Sequence, residues 1–317
     1  MKALTFDGKE LKLTEIPKPV PTENEVLIKV AKAGICNTDH EIIKGYIPNF
    51  NGILGHEFFG YVKEAQDKNL IGKRVSGEIN LACGTCEFCE KGLGRHCPNR
   101  SVFGIINRNG AFSEYVTLPK ENVIEIPSEI PDERAVFIEP LAAACEILEQ
   151  VKILPNHEVL LIGDGKLALL IARVLHSTGC KLKVLGKHQD KLETLGEVGI
   201  STVLLENFTP KTFDVVVEAS GNSTAFELGL SCTKPRGTFV LKSTYAGGIN
   251  FNPALVVVNE ITMIGSRCGR FEDAVKFLQN HKPTLEKMIH SEFEFSKALE
   301  AFENSAQRNT LKVILNF

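Results

Sequence analysis

The stretch EVLLIGDGKLALLIARVLHSTG, from Glu158 to Gly179, joins an apolar run to a helical run through a glycine turn. The turn has the pattern G-x-G-x-x-A, which predicts dinucleotide binding when a strand precedes it and a helix follows. The glycines let the backbone approach a pyrophosphate, and a small third residue lets the helix pack against the sheet. A tight strand–helix turn without a ligand is the alternative. The candidate cofactor-binding residues here are Gly163, Gly165, Lys166, Leu167 and Ala168.

The alternation of strand and helix continues beyond this stretch. The segments KLKVLG, FDVVVEAS and GTFVLKS predict strands, with helical patterns between them. Continuous apolar strands that alternate with helices predict an α/β fold with a doubly wound parallel sheet of Rossmann type. We expect this dinucleotide-binding domain over residues 137–270. Residues 1–136 are predicted to form a mostly β domain, to which residues 271–317 return.

The end of the second strand of this sheet bears on which nicotinamide cofactor is bound. An NAD-binding unit usually has Asp or Glu there, where it accepts hydrogen bonds from the ribose hydroxyls. This chain has Gly186, Lys187 and His188, and its next carboxylate in sequence is Asp190. A glycine leaves room for a 2′-phosphate, and the two basic side chains can pair with it. The sequence therefore favours NADP(H) over NAD(H), unless Lys187 is simply a solvated lysine.

The bulk properties of the 317-residue chain exclude several classes of protein. Its net charge is −3 and its pI is about 6.3, so no overall positive charge favours nucleic acid or an acidic membrane. The chain has no apolar run of transmembrane length, and its first residues lack the apolar core of a signal peptide. We expect a cytoplasmic protein that binds neither nucleic acid nor membrane. In that reducing compartment, clustered cysteines favour metal binding or catalysis over disulfides.

Four of the nine cysteines fall within the lobe CGTCEFCEKGLGRHC, residues 83–97. Their spacing is C-x2-C-x2-C-x7-C, which can close a tetrahedron of thiolates around zinc. An iron–sulfur cluster is the nearest alternative, but the bacterial ferredoxin pattern ends in C-x3-C-P rather than in a seven-residue gap. Four sulfur ligands leave no open position, so the site is predicted to be structural. The ligands are Cys83, Cys86, Cys89 and Cys97.

The order of motifs along the whole chain resembles that of the zinc-dependent medium-chain alcohol dehydrogenases. Gly-Ile-Cys-x-Thr-Asp comes first, then Gly-His-Glu-x-x-Gly, the four-cysteine lobe, Glu-Pro and G-x-G-x-x-A. The Glu-Pro motif makes the chain similar to the polyol- and threonine-dehydrogenase-like branch. This resemblance implies a GroES-like catalytic domain beside the Rossmann-type domain, and two zinc ions per chain, one catalytic and one structural.

The resemblance also implies roles for dispersed residues that have ordinary structural interpretations when taken singly. It implies that Cys36, His56 and Glu139 bind the catalytic zinc, and that Glu57 lies beside it as a transient ligand in exchange for water. Three protein ligands would leave a fourth position open for water or substrate, as a catalytic zinc needs. By the same resemblance Asp39 orients His56, and the Thr38 hydroxyl takes the substrate proton. Cys145 is predicted to pack in the interior, because a helix would turn it away from Glu139.

The proton relay is where the chain departs from the family. Many relatives have a histidine five residues after the catalytic cysteine, but this chain has Glu41 there and His40 one residue earlier. A relay through Glu41, a relay through His40 and direct transfer to water all remain open. At the end of a sheet strand, Lys242–Tyr245 is expected near the nicotinamide or the substrate, because ligands of such sheets bind at strand ends.

The predicted function is a zinc-dependent oxidoreductase that transfers a hydride between an alcohol or carbonyl substrate and a nicotinamide cofactor. The resemblance further implies a homodimer or homotetramer. A non-catalytic NADPH-binding sensor or scaffold is the alternative, which the set of Cys36, His56 and Glu139 disfavours. A nucleic-acid-binding finger is disfavoured too, because the charge around the four-cysteine lobe is mixed and no basic stripe accompanies it.

Overall fold

The computed structural model describes residues 1–244, 248–249 and 251–317. The chain divides into two compact units, one of residues Met1–Glu139 and Ala274–Phe317, the other of residues Pro140–Asp273. None of the helices in the described ranges combines the length and the apolarity needed to cross a bilayer.

The strands are numbered along the whole chain. They are β1 Lys2–Phe6, β2 Leu11–Glu15, β3 Glu25–Ile35, β4 Gly52–Ile53, β5 Glu57–Glu64, β6 Arg74–Gly77, β7 Asn80–Leu81, β8 Ser101–Val102, β9 Tyr115–Pro119, β10 Val123–Glu125, β11 Glu158–Ile162, β12 Lys181–Gly186, β13 Ser201–Leu204, β14 Phe213–Glu218, β15 Thr233–Leu241, β16 Thr262–Gly265, β17 Ile289–Glu294 and β18 Lys312–Asn316.

The helices are numbered in the same way. They are α1 Asn37–Ile43, α2 Glu87–Glu90, α3 Asp132–Ala135, α4 Ile138–Gln150, α5 Lys166–His176, α6 Gln189–Gly196, α7 Ser223–Ser231, α8 Ala254–Val258, α9 Phe271–His281 and α10 Ala298–Ser305.

The first unit is mostly β, as its short strands and frequent turns predict. Its largest sheet runs in the order β10-β6-β5-β3-β18-β17, and β9 also pairs with β3. The long central strand β3 pairs antiparallel with β5, so that Gly34 lies opposite Glu57. On its other side β3 pairs antiparallel with β18, with Ile35 opposite Val313. These two pairings bring residues 25–35, 57–64 and 312–316 into one sheet.

The second unit confirms the predicted parallel sheet. Its strands run in the order β13-β12-β11-β14-β15-β16, and every pair is parallel. Strands β11 and β14 are apolar and almost entirely buried, as expected for a sheet covered by helices on both faces. The connections change direction between the adjacent strands β11 and β14, and this switch point is where α/β sheets of this kind bind ligands.

Candidate metal and cofactor sites

A thiol, an imidazole and a carboxylate meet in the first unit. Cys36 lies at the N-terminal cap of α1, and His56 and Glu57 lie at the start of β5, which pairs with β3. The potential ligand atoms of these three residues all lie within 4.8 Å of one another. Sulfur, nitrogen and oxygen donors at this separation fit a zinc ion, which is bound by all three types. Antiparallel pairing thus gathers donors that are about twenty residues apart in the sequence.

Asp39 connects the two segments that carry these donors. Its Oδ2 accepts a hydrogen bond of 2.8 Å from the Cys36 backbone N–H, and its Oδ1 accepts one of 3.2 Å from Gly55 N–H. Its Oδ1 also lies 3.3 Å from His56 Nδ1, within ion-pair distance of that ring nitrogen. Asp39 is fully buried. The geometry suits a carboxylate that orients a metal-bound histidine.

Charge surrounds the His56 ring. Burial by itself would lower the pKa of His56, but the charges of Asp39 and Cys36 outweigh burial and hold that pKa well above its usual range. A bound dication would reverse this preference, because it demands a neutral ring nitrogen as ligand. The site therefore stabilises positive charge at His56, as a cation-binding site must.

Lys312 is a residue of this site that the sequence analysis missed. Its Nζ contacts Glu57 Oε2, and both side chains are only 2% exposed. Burial by itself would lower the pKa of Lys312, but the negative charges of Glu57, Cys36 and Glu139 raise it. A lysine within the chain's final strand carries no local signal of function. Only the pairing of β18 with β3 brings it beside Glu57.

Glu139 is buried at the start of α4, but it does not belong to the group of donors within 4.8 Å. The pKa of Glu139 is raised to about 7. Burial is the largest cause, the negative charge of Glu57 adds to it, and the positive charge of His56 opposes it. These electrostatic influences place Glu139 near the cluster. Burial disfavours the ionised form of this carboxyl group, and an adjacent cation would stabilise that form. Its role as a ligand stays a prediction.

The residues predicted for proton transfer lie along α1. Thr38 Oγ1 lies 3.6 Å from Cys36 Sγ, which places this hydroxyl beside the cluster. His40 lies elsewhere, because its Nε2 is 2.8 Å from Ser305 Oγ and its ring packs against Phe302 at a centroid distance of 4.6 Å. Glu41 forms an exposed ion pair of 2.9 Å with Lys44. Thr38 is thus the one of these residues that contacts the cluster.

The four-cysteine lobe forms a second candidate metal site. Neighbouring sulfur atoms of Cys83, Cys86, Cys89 and Cys97 are separated by 3.5 to 3.9 Å. A tetrahedral site with Zn–S bonds of about 2.3 Å has sulfur–sulfur edges of about 3.8 Å, so the observed separations fit a single zinc ion. An iron–sulfur cluster needs more widely spaced thiolates, because its four cysteines are divided over two or more irons. The donor set therefore favours zinc.

The second unit holds the predicted dinucleotide turn. Gly163 follows β11, Gly165 is the N-terminal cap of α5, and Lys166, Leu167 and Ala168 form the first turn of that helix. Gly163 has φ +132°, and a Cβ atom there would lie 2.6 Å from the backbone oxygen of Ala219. This position therefore requires glycine. The helix N-terminus and the turn lie at the switch point of the sheet, where a pyrophosphate would bind.

Asp164, between the two glycines, is the second residue that the sequence analysis missed. Its Oδ2 accepts hydrogen bonds from the backbone N–H groups of Lys187 and His188, at 2.6 and 2.7 Å. It also lies 3.0 Å from the ring Nδ1 of His188. The carboxylate therefore lies at the end of β12, where the sequence places no acidic residue. An acidic residue inside a glycine turn was the signal that could have revealed it.

The strand ends next to the turn were also predicted to contact ligands. Lys242 donates hydrogen bonds from Nζ to Ser266 Oγ and to the backbone oxygen of Arg267, at 3.1 and 2.6 Å. Ser243 Oγ accepts a hydrogen bond of 2.8 Å from the Gly221 backbone N–H. Tyr245 lies outside the described residues. Cys145 is buried, as predicted, and burial raises the pKa of its thiol to about 12.

Two family models match the chain and agree with this arrangement. Residues 22–128 match the alcohol dehydrogenase GroES-like domain, and residues 165–281 match the zinc-binding dehydrogenase model. The chain is also 31% identical, over 84% of its own length and 84% of the relative, to L-threonine 3-dehydrogenase of Xanthomonas axonopodis pv. citri. The chain belongs to the family of zinc-dependent medium-chain dehydrogenases/reductases.

Other relatives cover the whole chain. D-arabinitol dehydrogenase 1 of Uromyces fabae is 28% identical over 99% of this chain and 96% of its own length. An Escherichia coli CFT073 alcohol dehydrogenase (rspB) in complex with NADH has a TM-score of 0.93 and 26% identity. A zinc-binding dehydrogenase of Sinorhizobium meliloti 1021 bound to NADP has the same TM-score and identity. Each of these two structures is matched over 100% of this chain and 99% of its own.

These findings confirm the GroES-like and Rossmann-type fold. They also confirm an enzyme that acts on a small-molecule alcohol or carbonyl with zinc and a nicotinamide cofactor.

Proposed function

We propose that the reaction takes place at a zinc ion bound by Cys36, His56 and Glu139. The observation that carries this proposal is the convergence of Cys36 Sγ, a His56 ring nitrogen and a Glu57 oxygen within 4.8 Å. Glu139 completes the ligand set, because a buried carboxyl with a pKa of about 7 is stabilised as a carboxylate by a bound cation. When bound, zinc polarises the substrate oxygen, and the nicotinamide gives or takes the hydride.

The residues around the zinc have separate tasks in this proposal. Thr38 Oγ1, beside Cys36, accepts the proton of the substrate hydroxyl during oxidation and returns it during reduction. Asp39 holds His56 in position from a fully buried site. Lys312 neutralises the carboxylate of Glu57, which lies beside the ligand atoms of Cys36 and His56. From Thr38 the proton passes to water, because His40 is bound to Ser305 and Glu41 to Lys44.

We further propose a structural zinc in the lobe of residues 83–97, which gives two zinc ions per chain. The sulfur separations of 3.5 to 3.9 Å support this proposal. Four thiolates close the coordination shell, so the lobe contributes stability rather than chemistry. Such thiolates must stay reduced, which supports the proposed cytoplasmic location.

The residues at the end of β12 bear on whether the enzyme uses NAD(H) or NADP(H). The preference for NADP(H) predicted from Gly186, Lys187 and His188 stays a prediction. The exposed Lys187 supports it. The Asp164 carboxylate, bonded to Lys187 and His188, opposes it, because a carboxylate repels a 2′-phosphate.

A homodimer or homotetramer is also proposed, with the second unit in contact with a second copy of the chain. Strand β16 ends the six-stranded sheet, and the nearby helix α8 exposes Val257 by 74% and Val258 by 78%. An open sheet edge beside exposed aliphatic side chains favours association. Light scattering measures the mass, and a monomer would contradict this assignment.

The central experiment replaces His56 with Ala and measures zinc content and turnover together. The variant should lose turnover and fall from two zinc ions per chain to about one, because one ligand of the catalytic site is missing. The exposed His290 provides the control, and His290→Ala should keep both ions and full turnover. A His56→Ala enzyme that still turns over would refute the assignment. A panel of alcohols and aldehydes, assayed with both cofactors, identifies the substrate class.

A further inference from the structure

The Asp164 carboxylate lies where a Rossmann-type unit usually places its ribose-binding acid. In such units the acid is contributed by the end of the second strand. Here the second strand, β12, ends at Gly186, and the carboxylate comes instead from the turn between β11 and α5. It is fixed there by three contacts of 2.6 to 3.0 Å with Lys187 and His188.

The lack of a side chain at position 186 makes room for Asp164 rather than for a phosphate group. A Cβ atom at residue 186 would lie 2.7 Å from Asp164 Oδ2 and 2.8 Å from Asp164 Cβ. Any side chain at this position would therefore displace the carboxylate. The space that the glycine leaves is already filled, so a small residue at the strand end is no evidence of room for a 2′-phosphate.

The backbone donors at this strand end are occupied as well. A phosphate bound here would draw on the N–H groups of Lys187 and His188, because backbone N–H groups bind anions at such turns. Both groups donate to Asp164 Oδ2 instead. A 2′-phosphate would have to displace a carboxylate of its own sign of charge, whereas uncharged ribose hydroxyls can donate to it.

One oxygen of Asp164 remains available for a ligand. Among the hydrogen bonds of the described residues, all three that involve this side chain use Oδ2, and none uses Oδ1. The side chain is 11% exposed, so it is held by the fold yet still reached from outside. A fixed acceptor with one free oxygen is what the recognition of a ribose hydroxyl requires.

We propose that Asp164 is the specificity-determining residue of the dinucleotide site. It accepts hydrogen bonds from the hydroxyls of the adenosine ribose and sets a preference for NAD(H), in place of the NADP(H) preference predicted from the sequence. The inference rests on dinucleotide binding by the second unit. It does not depend on which residues bind the catalytic zinc.

The test is the affinity for NADH and NADPH, measured by nicotinamide fluorescence in the wild-type enzyme and in Asp164→Asn. Wild-type enzyme should bind NADH at least tenfold more tightly than NADPH. The variant should lose most of that ratio through weaker NADH binding and stronger NADPH binding. Asp190→Asn is the control, because Asp190 is the exposed acid that follows in sequence, and its ratio should stay at the wild-type value.

The outcomes separate this inference from the proposed reaction. A wild-type enzyme that prefers NADPH would overturn the role of Asp164 without any variant, and so without any concern about folding. A ratio that stays within twofold of the wild-type value in Asp164→Asn, or that changes in Asp190→Asn instead, would also overturn it. If neither dinucleotide binds, both the inference and the dehydrogenase reaction fail. If His56→Ala binds both dinucleotides as the wild-type enzyme does, the two sites are independent, as expected.

Discussion

Replacing Lys312 with Met tests how strongly the buried ion pair holds the metal site together. Methionine keeps much of the length of the side chain but removes its charge. Lys312 and Glu57 are each only 2% exposed, so the change leaves a buried carboxylate without its partner. Removal of one partner of a buried ion pair costs about 3–5 kcal/mol. We expect Lys312→Met to be destabilised by an amount in this range.

The assay is thermal unfolding of the zinc-loaded enzyme, followed by calorimetry. A loss of 1 kcal/mol lowers the Tm of a domain of this size by about 2–4 °C, so the expected decrease is roughly 6–20 °C. The double variant Lys312→Met/Glu57→Gln should recover a large part of this loss. It removes both charges at once, and the exchange of a buried ion pair for uncharged groups is often close to neutral.

A second ion pair in the same sheet provides a matched control. Lys32 and Glu292 lie 2.6 Å apart with side chains 17% and 33% exposed, so water screens their interaction. Lys32→Met should cost about 1 kcal/mol or less. The reasoning fails if Lys312→Met is no less stable than Lys32→Met. It fails equally if the effects of Lys312→Met and Glu57→Gln are additive, because coupled charges must show an interaction energy.

Three further predictions concern the cysteine lobe and the proton relay. Cys86→Ser should lower the Tm and the zinc content by one ion while the remaining folded enzyme keeps its turnover. A well-folded variant that loses only turnover would contradict the structural role. In zinc-stripped enzyme at pH 7, iodoacetamide should modify Cys83 before Cys145. The backbone N–H of Thr85 lowers the Cys83 pKa to about 6, so its thiolate is present above that pH, whereas burial raises the Cys145 pKa to about 12. Mass spectrometry of the labelled peptides measures the order, and faster labelling of Cys145 would contradict it. His40→Gln should change kcat by less than about tenfold and leave its pH profile unchanged, because a relay residue contributes about 10²–10⁴-fold. A larger loss in kcat would assign the relay to His40.

Features of local spacing could be predicted from the sequence. The turn from Gly163 to Ala168 can be recognised from six residues, because the strand, the glycines and the helix follow one another directly. The four cysteines of residues 83–97 likewise lie within one short lobe. Their sulfur atoms can meet without help from the rest of the fold. The alternation of apolar strands with helices predicted the parallel sheet for the same reason, since each period is read from neighbouring residues.

Two charged residues of the sites were not predicted, because their partners are distant in the sequence. Lys312 meets Glu57 across 255 residues, and Asp164 meets His188 across 24. Neither residue lies in a motif that reports its partner. The sequence alone suggests that Gly186 leaves an empty space, but in the structure Asp164 fills that space.

The sequence by itself determined the parallel sheet, the glycine turn and the metal-binding type of its cysteine lobe, since each depends on the periodicity or spacing of nearby residues. It located Cys36, His56 and Glu139 only through their resemblance to a family. The tertiary structure decided which charges surround the candidate metal site and which acid lies at the end of β12. The physical reason is that β3 pairs with both β5 and β18, while the turn after β11 lies against the end of β12. Strand pairing and turn packing set the distances between residues that are far apart in the sequence, and a local sequence pattern does not contain those distances.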